Sequence, residues 1–68
     1  DNSKKQRLGQ LRRELRDARE NERYYEQAAR QPDESATVES RNQQWGFVQK
    51  WREEVWRLQD EIRKIEDA

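Results

Sequence analysis

The sequence predicts an all-α fold: an antiparallel two-helix hairpin of coiled-coil type that assembles into a helical bundle. Three observations predict it. Val48, Trp51, Val55, Leu58, Ile62 and Ile65 alternate at spacings of three and four, the mark of a helix built to lie against another helix. A second series with the same rhythm, Leu8, Leu11, Leu15, Ala18, Tyr25 and Ala29, runs through the first half, interrupted at Glu22. Between the two stands the single proline, Pro32, whose ring cannot continue a helical ladder and which pushes the preceding residue out of helical conformation.

The first helix is expected over residues 3–30. Ser3 and Gln6 have the capping-box spacing, at which the cap side chain and the side chain three residues on each satisfy an orphan backbone amide of the first turn. Good helix formers fill Gln10 to Arg30, and Gly9 is the weak point, costing about 1 kcal/mol against alanine. The turn is expected over 31–37. Asp33, Ser35, Thr37 and Ser40 are all candidate caps for a second helix over 38–66, with Ser40 and Gln43 repeating the capping-box spacing. No Asn-Gly or Asp-Gly pair and no sustained alternation argues for strands. A short connection makes the helices antiparallel neighbours within one unit spanning residues 1–68. Folding about Pro32 to Ser35 sets Leu15 near Trp51, Leu8 and Leu11 near Leu58 and Ile62, Ala29 near Val38, and Ala18 across from Trp51 and Val48. Near the turn the seam becomes polar at Glu22, Arg41 and Gln44, where a Glu22–Arg41 pair is expected to fix register.

Composition agrees with this architecture. Of 68 residues, 44% are charged and 29% hydrophobic, against about 45–50% in an ordinary globular domain, so a closed core is not expected. Fifteen basic residues balance fifteen acidic ones, which argues against disorder driven by net charge and against a general nucleic-acid binder. Cysteine and histidine are absent, which removes disulfides, thiolate metal sites and the usual general bases. No apolar run approaches the length of a membrane span, so the chain is expected to be soluble, intracellular and free of membrane insertion.

The second helix carries more apolar surface than one partner covers. Val38, Trp45 and Trp56 fall within about 20° of one another on a helical wheel, well away from the Val48 to Ile65 seam. Tyr24 likewise lies off the seam of the first helix. Exposed aromatic side chains are frequent anchors of protein interfaces, so Trp45, Trp56, Val38 and Tyr24 are the expected partner-binding residues. The competing reading lays each indole across the aliphatic stems of arginines on its own hairpin. A two-helix hairpin also buries too little to stand without cover, which points to a second copy in a homodimeric four-helix bundle or to a helix of another protein. Gly46 beside Trp45 either permits close backbone approach there or only costs helix stability.

No catalytic residues, metal, cofactor or small-molecule substrate are expected. Glu53, Glu54, Asp60 and Glu61 read as a solvated face, with Glu53–Arg57 and Asp60–Lys64 as expected ion pairs. Arg12, Arg16, Arg19 and Arg23 share one face of the first helix. Asp33, Glu34 and Glu39 cluster at the hairpin tip after Pro32. That layout resembles the hairpins of transcription factors of the Gre and DksA kinds, which enter the secondary channel of bacterial RNA polymerase. The resemblance, confined to the stretch Pro32 to Glu39 and the slender shape, implies a regulator acting through tip carboxylates near a catalytic magnesium. The main expectation is a non-catalytic interaction and oligomerisation module, with that regulator and a bundle-type nucleic-acid binder as alternatives.

Overall fold

Six apolar side chains, spaced to meet along one line, organise the chain. The computed structural model describes residues 2–31 and 34–67. Two helices, α1 (Asn2–Arg30) and α2 (Val38–Asp67), pack antiparallel into a rod of 53 × 14 × 12 Å. Leu11, Ala18 and Ala29 of α1 and Val48, Val55 and Leu58 of α2 are buried. Leu11, Ala18, Val55 and Leu58 form one cluster, against which Leu15, Trp51, Ile62 and Ile65 pack half-buried. Leu8 and Tyr25 complete the seam at intermediate burial. Ala18 and Trp51 line one groove together with Leu58, so a small side chain does face the large indole.

The helix ends follow from local chemistry. α1 begins at Asn2, which places Ser3 inside the first turn rather than ahead of it as its cap. α2 extends one residue beyond the expected 66, to Asp67. Of the four candidate caps, Thr37 performs the role: its Oγ1 accepts the Ser40 amide at 3.0 Å and its carbonyl accepts the Arg41 amide at 3.0 Å. Ser40 is therefore helical, not a cap. At the end of α1, the Gln31 amide closes a last turn onto the Gln27 carbonyl at 3.0 Å. Pro32 and Asp33 lie outside the described residues.

The register differs from a fold made symmetrically about the proline. Tyr25 packs on Phe47 with ring centroids 5.1 Å apart. From that level α1 has five residues to its end at Arg30, while the same count back along α2 reaches only Asn42, so the first turn of α2 overshoots α1. Val38 sits in that overshoot at 72% exposure and does not cover Ala29. The same displacement gives Glu22 to Arg52 at 3.2 Å, not to Arg41. Two further cross-helix pairs, Arg7–Glu61 at 3.5 Å and Arg12–Glu66 at 2.8 Å, tie the open end. All three are solvent-reached and each contributes about 1 kcal/mol or less. They fix alignment more than stability.

The polar stretch of the seam has a cost. Gln44 Oε1 is buried and has no hydrogen-bond partner among the described residues. An unsatisfied buried acceptor costs about 1–3 kcal/mol. Gln44→Leu is expected to raise the thermal midpoint by several degrees, read by circular dichroism; an unchanged or lowered midpoint would mean that water satisfies the amide. In the other direction, Leu58→Ala removes a side chain with 1% exposure and should cost about 2–5 kcal/mol, enough to abolish most helicity in a hairpin of this size.

Candidate interaction surface

One broad face of the rod carries two parallel strips of unlike chemistry. On α2, Trp45 and Trp56 stand 41% and 60% exposed, three turns apart, with Val48, Gln49, Arg52 and Glu53 lining the shallow groove between them. On α1, Arg12, Leu15, Arg16, Arg19, Glu20 and Arg23 line a second groove. The Glu22–Arg52 pair joins the strips: Arg52 lies between the tryptophans, and Glu22 lines the furrow it shares with Arg19, Arg23 and Glu26. The two grooves therefore lie side by side.

Each expected partner-binding residue has a definite place. Trp45 is partly covered within its own chain, since the Arg30 guanidinium lies 5.9 Å from its ring centroid. Arg30 is itself held by Glu26 at 3.0 Å, which positions it over the indole. Trp56 has no such cover among the described residues. Val38 extends the same strip toward the tip. Tyr24, 66% exposed, does not join them: it lies about 160° around α1 from Glu22 and meets Tyr25 edge-on, with centroids 5.2 Å apart. The spacing of Trp45, Trp56 and Val38 was enough to align those three, whereas placing Tyr24 required knowing which side of α1 faces the strip. Among the described residues nothing lies within 4 Å of where a Cβ would stand on Gly46, so no contact within the fold requires glycine there.

The opposite face is held by helix-surface ion pairs. Arg57 reaches both Glu54 and Glu61, the latter at 2.9 Å, and leaves the expected partner Glu53 aside. The i,i+3 and i,i+4 carboxylates ahead of and behind Arg57 occupy its guanidinium first. Asp60 and Lys64 pair at 3.0 Å, as their spacing implies. At the tip, Glu34 and Glu39 are exposed, and Asp33 lies outside the described residues. No cluster of three or more metal-ligating side chains occurs among the described residues, and no described helix is long and apolar enough to cross a membrane.

The hydrogen bond from Arg57 holds the Glu54 carboxyl below the usual glutamate range, aided by the charges of Arg57 and Lys50 and opposed by slight desolvation. A carboxyl lowered on folding stabilises fully above its unfolded value, and the benefit is lost as pH falls through the lowered one. Arg57→Gln should therefore lower the urea midpoint slightly at neutral pH and leave it nearly unchanged at the acid end, which flattens the loss of stability between the two. Equal slopes in both proteins would show that Glu54 gains nothing from Arg57.

No protein-family model, curated protein or solved structure matches the chain.

Proposed function

We propose that the hairpin is a non-catalytic protein-interaction module, acting through burial of the Trp45–Trp56 strip by a second hairpin or a helix of another protein. The observation that carries this reading is the exposure of two tryptophans on one line of a helix whose other line is already filled. Indoles combine large apolar area with few rotatable bonds, so their burial gives much interface energy for little lost freedom. Neither indole belongs to the buried cluster or to the half-buried side chains packed against it. The rigid rod supports such work because its seam fixes the spacing of the two anchors at about 16 Å, eleven residues of helix.

Trp45→Ala with Trp56→Ala tests the reading. The double variant should keep its helical circular dichroism and melt within a few degrees of the parent, while self-association by sedimentation equilibrium and capture of helical partners both fall. Unchanged association and unchanged partner capture would remove the strip from any interface.

A further inference from the structure

The two grooves that share the tryptophan face are lined by five arginines, Arg12, Arg16, Arg19, Arg23 and Arg52, and by two glutamates, Glu20 and Glu53. Two of the five arginines are engaged, Arg52 by Glu22 and Arg12 by Glu66 at 2.8 Å, and Glu26 is taken by Arg30. Arg19 and Arg23 have no carboxylate within 4.0 Å among the described residues, and Arg16 reaches Asp17 only at 3.9 Å. In a chain of zero net charge, Arg16, Arg19 and Arg23 thus stand together without a close carboxylate among the described residues, beside an apolar strip.

We infer that the partner on this face is an acidic amphipathic helix, one that lays an apolar line against Trp45 and Trp56 and sets flanking carboxylates against Arg16, Arg19 and Arg23. The inference rests on the interaction-module reading and names its partner's chemistry. Pairing with a second copy through this same patch is disfavoured by charge. A two-fold dimer applies the patch to itself: an axis across the rods sets arginine strip on arginine strip, and an axis along them sets arginines on indoles, so neither arrangement offers Arg16, Arg19 and Arg23 a row of carboxylates. A nucleic acid would find Glu20, Glu22, Glu26 and Glu53 interleaved with the arginines, which breaks any continuous phosphate track. A helix suits the geometry better. Anchors three turns apart on a straight rod match the repeat of a partner helix running alongside, and the arginine strip lies where that helix's flank would rest.

The test uses the full hairpin with a small panel of fluorescent synthetic amphipathic helices of about six turns, identical in their leucine line and flanked by glutamate or by lysine. Binding is followed by anisotropy, alongside a duplex DNA oligonucleotide. The glutamate-flanked helices should bind at least about tenfold tighter than the lysine-flanked ones, and rising salt should narrow that gap. Arg19→Glu with Arg23→Glu should reverse the preference without loss of helicity, since neither arginine holds an ion pair among the described residues. Equal or better binding of the lysine-flanked helices would overturn the acidic partner and leave the interaction module standing. Tighter binding of DNA than of any peptide would overturn it in favour of a nucleic acid. No peptide binding by a hairpin that sediments as a stable dimer, with its tryptophans shielded from acrylamide, would assign the face to a second copy. A monomer that binds none of these would remove both the inference and the module reading.

Discussion

Everything in this hairpin depends on the contact of Leu11 and Ala18 with Val55 and Leu58, because a chain without cysteine has no disulfide to hold its helices together. The helices have 29 and 30 residues and only three buried side chains each. Helices of that length are marginal alone, and they persist here because each provides the other's apolar wall. The ion pairs across the seam lie in water and add alignment rather than strength. A narrow seam also leaves most of each helix surface unclaimed. That is why a second line of apolar residues on α2 remains open, with charge sorted around it.

Much of this was legible in the sequence. The three-four spacing of Val48 to Ile65 identified the seam of α2, and its members are buried or half-buried. The shared wheel angle of Val38, Trp45 and Trp56 placed them away from it, and all three are exposed. Register was less legible, since it depends on how far the connector carries the chain before Thr37 restarts a helix. Folding evenly about Pro32 assigns Glu22 to Arg41; the overshoot of α2 assigns it to Arg52. Arg57 posed a different difficulty. Three glutamates lie within its reach along the helix, and spacing alone does not rank Glu53 below Glu54 and Glu61.

The candidate surface was half legible for a related reason. Aromatic spacing on α2 shows one strip, and arginine spacing on α1 shows another. Whether the strips adjoin depends on the facing of two helices, which no single periodicity encodes. Glu22 settles it by reaching Arg52 between the tryptophans. Tyr24 illustrates the converse: off the seam in sequence, exposed in the fold, yet turned to the other side of α1.

The pairs Arg7–Glu61 and Arg12–Glu66 clasp the end of the rod opposite its turn, so residues 2 and 67 emerge side by side. Mechanically the molecule is a bracket. Spliced between two neighbouring residues of a surface loop on a carrier protein, it would add almost no separation at its base while standing a 53 Å post out from the surface. Pulling on the two ends would open the clasped pairs one after another from the base, as a zipper opens, instead of loading them all together in shear.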